Sequence, residues 1–218
     1  MRQTTDKMIR PVISGLLHTL YPQATFYQEV GASLYFPKQV PTYRDIVLDV
    51  LGVQEDFSIG IEIKSDKDSL VRFARQEPCY AKLCKENYLV IGEKFLSKLQ
   101  LIPHYWGVIV VYDGGDGLRA EIIREATTSP HYEPDALLML MWQDELRMVL
   151  KKHNLYKGLS KSRARFQRRK LKESLDEEML AKEMHWVFSV RDGWKQPYHL
   201  LYPYDPSIEH IHFWEGLT

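Results

Sequence analysis

The stretch "SIGIEIKSDKDSL", residues 58–70, decides how this chain is read. Ile59, Ile61 and Ile63 alternate with Gly60, Glu62 and Lys64, the period-two pattern of a β-strand. Residues i and i+2 of a strand share a face, so Glu62 and Lys64 stand side by side. A Glu-x-Lys triplet is weak alone: it turns up about once by chance in a chain of this size. An exposed cross-strand ion pair would account for it. The isoleucines, however, describe a well-buried strand, where an exposed pair is not expected, and a run of charge follows.

Working outward, "RDIVLDVLGV" (44–53) is a second strand close upstream, and the short spacing predicts an antiparallel hairpin. With the turn centred on residues 54–55, Asp45 lies opposite Lys64, and Glu62 lies diagonal to both Asp45 and Asp49. Opposite and diagonal neighbours on one face are roughly 5–8 Å apart. A slip of one residue would separate the four. Carboxylates this close repel unless a positive charge stands between them. Mg²⁺ suits them, because it accepts one or two carboxylates plus water and substrate phosphate; Mn²⁺ is the substitute. An adjacent lysine would stabilise an attacking hydroxide or the charge developing on a phosphate. The chemistry indicated is hydrolysis of a phosphodiester.

The remaining pattern places this hairpin in an α/β chain. Met8, Ile9, Val12, Ile13, Leu16, Leu17 and Leu20 have helical spacing, with Pro11 near the helix start. "ATFYQEVGASLYF" reads as a strand in which Gly31 marks a bulge or turn. "DSLVRFARQEPCYAKLCKEN" reads as a helix broken or restarted at Pro78. "YLVIG" is a short buried strand, "EKFLSKLQLI" a short helix, and "WGVIVVY" and "LRAEIIREA" a hairpin closed by "DGGDG". This gives a helix, three strands, a helix, a strand, a helix and two strands up to about residue 125.

With this order, "RDIVLDV…IGIEIKS" resembles the PD-(D/E)XK nuclease superfamily over about residues 5–92. The line "YRDIV…IEIKSDKDSLVRFARQ" is most similar to its small bacterial and phage members near the MmcB-like and RecB-like branches. Arg44 replaces the proline before the aspartate. The resemblance implies a restriction-endonuclease-like core, a mixed sheet flanked by helices. It also implies a Mg²⁺-dependent deoxyribonuclease in which Asp45 and Glu62 bind metal, the Ile63 carbonyl adds a ligand and Lys64 is catalytic. Asp49 has no family counterpart and would support the site from behind. Gln76 and Tyr80 are similar to the QxxxY motif of RecB-type nucleases and would touch substrate; the alternatives are a surface glutamine and a tyrosine packed in the core. An acidic residue ahead of the hairpin often completes the metal shell, for which Glu29 is the candidate and Asp6 its rival.

Net charge is +0, with 29 basic and 29 acidic residues, but it is segregated. "KKHNLYKGLSKSRARFQRRKLK" (151–172) holds ten Lys or Arg and no acid, leaving 19 basic against 29 acidic residues elsewhere. It reads either as a solvated linker or as a backbone-gripping DNA-binding segment, with Arg163, Arg165, Arg168 and Arg169 as contacts. "DALLMLMWQDELRMVLKKH" before it is an amphipathic helix, and a second helix runs from about Glu173 to Val190. Helix, basic connector and helix faintly resemble SAP-like modules. The chain thus divides into a nuclease core, 1–125, and a helical basic region, 126–218, ending in an irregular aromatic and proline-rich tail.

Other chemistries find no support. Cys79 and Cys84 are too close to frame a fold and read as reduced packing residues. His210 and His212 have no further ligand at metal spacing. "GGDG" (114–117) leads into no helix, so it is not a phosphate loop, and no nucleophile-elbow signature is present. No apolar run is long enough to span a bilayer and the N-terminus lacks a signal-peptide pattern, so a cytoplasmic protein is expected. Two other readings stay open: a nuclease-fold DNA-binding protein without turnover, and a protein-interaction adaptor.

Overall fold

The isoleucine stretch forms β3 (Ser58–Lys64), buried along its whole length. The structure, a computed structural model, describes residues 3–36, 42–54 and 58–191. Helix α1 (Asp6–Leu20) precedes β1 (Thr25–Phe36), β2 (Thr42–Val53) and β3. Helix α2 (Phe73–Leu83) connects β3 to β4 (Glu86–Gly92). A 3-10 helix, Glu93–Leu101, leads to the hairpin of β5 (Gly107–Asp113) and β6 (Leu118–Arg124). The six strands lie in sequence order in one sheet. β1–β2–β3 and β5–β6 are antiparallel, while β3–β4 and β4–β5 are parallel. A mixed sheet flanked by helices is therefore present, as expected.

The period-two pattern of β3 sorts its side chains between two cores. Ile59, Ile61 and Ile63 pack with Ile9, Ile13 and Leu17 of α1 on one face. Ser58, Gly60, Glu62 and Lys64 face the other side, toward α2. Gly60 permits that contact: a Cβ there would stand 2.6 Å from the Tyr80 ring and 3.0 Å from Cys84 Sγ. Cys79 and Cys84 are buried and form no disulfide, the packing role expected of them.

Residues after 125 depart from the sequence reading. The expected single helix over "DALLMLMWQDELRMVLKKH" is a 3-10 helix, Pro134–Leu140, followed by α3 (Gln143–Lys152). The basic stretch contributes its own helix, α4 (Ala164–Ser174), and α5 (Glu177–Val190) starts anew at Asp176, whose side chain accepts the Met179 N–H. Leu146, Val149, Leu171, Met184, Val187 and Phe188 share one hydrophobic core with Val30, Leu51, Tyr80 and Trp106 of the first part. A division at 125 thus follows composition and does not separate two cores. The aromatic tail with His210 and His212 lies outside the described residues, as does part of the β2–β3 turn.

The β1–β2 ribbon rolls over halfway along. In its first half odd-numbered side chains, Tyr27, Leu51 and Val53, enter the core under α2–α5; in its second half even-numbered ones do, Val30, Ala32, Leu34, Ile46 and Leu48. Pairing keeps one register throughout, Tyr27 with Leu51 and Val30 with Leu48. The change of face falls at Glu29, whose φ of 54° is in the left-handed region that non-glycine residues seldom adopt. The irregularity sits there, two residues before the bulge expected at Gly31.

Candidate active site at the end of strand β3

The pairing of β2 with β3 decides which aspartate meets Glu62. The observed partners are Val50 with Ile61 and Leu51 with Gly60, two residues away from the expected register. Asp49 is therefore next to Glu62, and its Oδ2 accepts the Ile63 backbone N–H at 2.7 Å. Asp45 lies four residues further along β2, about 13 Å in an extended strand, beyond the last β2–β3 pair and opposite Ser33 of β1. It is exposed on the outer wall of the cleft. The expected role of Asp45 beside Glu62 is thus corrected: a two-residue shift preserves the face, so the pattern alone did not distinguish the two aspartates.

Glu62 and Lys64 form an ion pair through Glu62 Oε1, with side chains 0% and 3% exposed. Lys64 Nζ also donates to Gln76 Oε1 at 3.2 Å. Glu62 Oε2 is buried and accepts no hydrogen bond of good geometry from a described residue, although the Tyr80 hydroxyl lies close enough to interact with the Glu62 carboxylate. Lys64 already balances the charge, and what remains costly is a buried oxygen left short of a good donor. Burial, and then the charge of Glu62, push the Asp49 carboxyl up to about 7, against the pull of the Ile63 N–H, Lys64 and Arg10.

Tyr80 is fully buried behind this pair. Its hydroxyl accepts the Asp49 N–H at 2.9 Å and donates to the Ile61 carbonyl at 3.2 Å. Burial and the neighbouring Glu62 and Asp49 carboxylates hold the phenol well above its ordinary pKa. Tyr80 was expected to touch substrate; it instead fastens β2 to β3. Gln76, one turn earlier on α2, does line the cleft. Pro78 sits within the continuous α2 and does not break it.

Arg10 is the residue that the pattern did not single out. It lies on α1, 7% exposed, and donates to Asp6 Oδ2 and Glu29 Oε1, both at 2.7 Å, and to the Asp49 carbonyl at 3.2 Å. Burial alone would lower its pKa, but the hydrogen bond and charge of Asp6, with the charges of Asp49 and Glu29, outweigh it and raise it above the ordinary range. Glu29 and Asp6, the two candidates for an extra metal ligand, are thus both engaged by one guanidinium. The available signal was a cation within the largely apolar run Ile9–Leu17.

Together these groups border a cleft of about 970 Å³, within the range of ligand pockets. Among the described residues, no three His, Cys, Asp or Glu side chains gather closely enough to form a metal cluster. The donor set that remains, Asp49, Glu62 and the backbone at Ile63, fits a hard cation that keeps most of its water, and the under-bonded Glu62 Oε2 is an oxygen such an ion would satisfy.

The four arginines expected to grip backbone are not equivalent. Arg163, Arg165 and Arg169 are exposed. Arg165 and Arg169 lie 4.7 and 6.0 Å from the ring of exposed Phe166. Arg168 instead donates to the carbonyls of Leu138 at 2.9 Å and Met141 at 3.4 Å, tying α4 to the preceding 3-10 helix. It serves packing rather than the expected DNA contact. No helix among the described residues is long and apolar enough to cross a membrane.

Comparison with known proteins adds a family. No curated protein matches the chain. A solved structure, a protein of unknown function from Silicibacter pomeroyi, is similar over 71% of this chain and 94% of its own, with 17% identity and a TM-score of 0.37. The family described as bacteriophage P4 protein cII matches residues 39–196, a span that holds Asp49, Glu62, Lys64 and Gln76 but not Arg10 or Glu29. Since that match takes in well over half of the sequence, the chain belongs to the bacteriophage P4 protein cII family.

Proposed function

We propose that this protein is a metal-dependent nuclease that hydrolyses DNA phosphodiester bonds, with a site of the PD-(D/E)XK kind in which Asp49 takes the place expected for Asp45. The observation that carries the reading is the buried Glu62–Lys64 pair in the lining of the cleft, next to Asp49, with one Glu62 oxygen that accepts no well-formed hydrogen bond from a described residue. Structural ion pairs seldom leave such an oxygen inside a protein. Asp49, Glu62 and the Ile63 carbonyl would hold Mg²⁺ or Mn²⁺. The bound ion would supply Lewis acidity and lower the pKa of a coordinated water.

The chain's own groups then have separate tasks. Lys64, anchored by Glu62 and Gln76, keeps one of its three N–H donors for the attacking water or a phosphate oxygen. Asp49, whose carboxyl is near 7 without an ion, would give up its proton when the metal binds, so metal affinity would rise with pH through neutrality. Tyr80 holds the backbone from behind the cleft, and Arg10 holds the carboxylates at its edge. Exposed Arg163, Arg165 and Arg169 would add salt-sensitive grip on DNA.

Arg10 favours the second reading, a DNA-binding protein of this fold without turnover, since it already brings positive charge to Asp6, Glu29 and Asp49. The two separate in one experiment. Labelled linear and circular DNA, single- and double-stranded, is incubated with Mg²⁺, Mn²⁺ or EDTA. Cleavage that needs metal and disappears in Asp49→Asn supports the nuclease; DNA binding with no metal-dependent product supports the second reading.

A further inference from the structure

The charges that line the cleft are unevenly placed. The sheet and α1 bring five carboxylates, with Lys64 and Arg10 among them, whereas the start of α2 brings Arg72 and Arg75, with Asp68 just ahead of it. We propose that Arg72 and Arg75 form a phosphate subsite that holds the backbone of a nucleic-acid strand next to the bond positioned over Glu62 and Lys64. This inference rests on the nuclease reading and extends it to a substrate-binding surface.

Residues three apart on a helix have side chains on one side, roughly 5–6 Å between Cβ atoms. Both arginines are exposed, and the Arg72 side chain is 75% exposed. Arg75 has no ion pair with a described residue. Among the described residues Arg72 faces only Asp68 Oδ1, at 3.6 Å, while Asp68 Oδ2 is held by the backbone and hydroxyl of Ser65. Such an exposed pair is worth little, so the guanidinium remains available to an anion. Gln76, the next residue after Arg75, is bonded to Lys64, which places the two cations and the Lys64 contact on one helical turn. A strand of phosphates fits this arrangement better than a single small anion: one phosphate lies over Glu62 and Lys64 and its neighbour meets the arginines, whose planar donors suit phosphate oxygens.

The test uses the full chain, EDTA to prevent turnover, and a fluorescent single-stranded DNA 20-mer. Binding is measured by anisotropy across a series of salt concentrations in wild type and Arg72→Gln/Arg75→Gln. Two lost phosphate contacts on a single strand reduce the log–log salt slope by about 1.4. The thermal midpoint is expected to stay put, since neither side chain is buried. Arg72→Lys/Arg75→Lys is expected to keep the slope. An unchanged slope in the glutamine variant overturns the subsite, as does a wild type that fails to bind the 20-mer, or 5′-dTMP binding as tightly as the strand. Slope loss without any metal-dependent cleavage by wild type overturns the nuclease reading and leaves the subsite standing. Cleavage with an unchanged slope does the reverse.

Discussion

The two faces of β3 are equally inaccessible and chemically opposite. Ile61 and Glu62 are both 0% exposed. Toward α1, the isoleucines are satisfied by contact alone, since dispersion and loss of apolar surface need no specific partner. Toward α2, Glu62 and Lys64 must be paired, and the pairing is incomplete at Glu62 Oε2. Burial does not distinguish the two faces; the balance of donors and acceptors does.

The largest effect that would break this contrast comes from Lys64→Ala. Cleavage is expected to fall by about 10²–10³-fold or more. Because the substitution strands Glu62 as a buried unpaired charge, unfolding stability is expected to fall by about 3–5 kcal/mol. The double variant Lys64→Met/Glu62→Gln should regain much of that stability and none of the activity, as read by urea unfolding beside a cleavage assay. On the other face, Ile59→Val should cost about 0.5–1.5 kcal/mol with turnover per folded molecule retained. Wild-type cleavage by Lys64→Ala would remove the distinction between the faces.

The next effect compares the two aspartates of β2. Asp49→Asn is expected to abolish Mg²⁺ or Mn²⁺ binding in isothermal titration, whereas Asp45→Asn leaves it within a few-fold of wild type. The opposite result would mean that the β2–β3 register places the wrong carboxylate at Glu62.

Smaller again is a pH effect. The Asp49 carboxyl is near 7 in the fold against 3.8 in the ordinary state, so folding takes up a proton between those values. The unfolded chain binds fewer protons in that window, and the Asp49 contribution to stability falls as pH rises from about 4 to about 7, then levels. In EDTA, denaturant unfolding over pH 4–8 should show this decline in wild type and a flatter profile in Asp49→Asn. An identical profile in both would show that Asp49 is ionised throughout.

The smallest expected effect separates the arginines of α4. Arg163→Gln/Arg165→Gln/Arg169→Gln should flatten the salt slope of duplex binding by about 2–3 units without changing stability. Arg168→Gln should do the converse, lowering the thermal midpoint and leaving the slope unaltered, because its donors are spent on the Leu138 and Met141 carbonyls.

Local periodicity made much of this molecule legible. The helix over 5–20, the strand order and the shared face of Glu62 and Lys64 follow from spacings of 3.6 and 2 within short windows. The C-terminal boundaries were less legible, because a run of lysine and arginine reads as a linker or a helix until Gln167 and Leu171 are seen to be buried. The cores were legible only as separate apolar stretches; that Phe188 packs on Tyr27, with rings 5.7 Å apart, is a contact between residues 161 apart in the chain.

The sequence by itself determined that a strand with alternating isoleucines carries an acid and a base on one face, and that an acidic strand precedes it. Tertiary structure alone decided that Asp49 rather than Asp45 meets them, that Tyr80 works from behind, and that Arg10 neutralises the carboxylates at the site's edge. The physical reason is that a strand pattern specifies which face a side chain occupies but not which partner lies across from it. That choice depends on a register shift of two, which the pattern cannot detect, on a left-handed backbone at Glu29 where the ribbon changes the face it turns to the core, and on a guanidinium brought from a helix 39 residues upstream of Asp49.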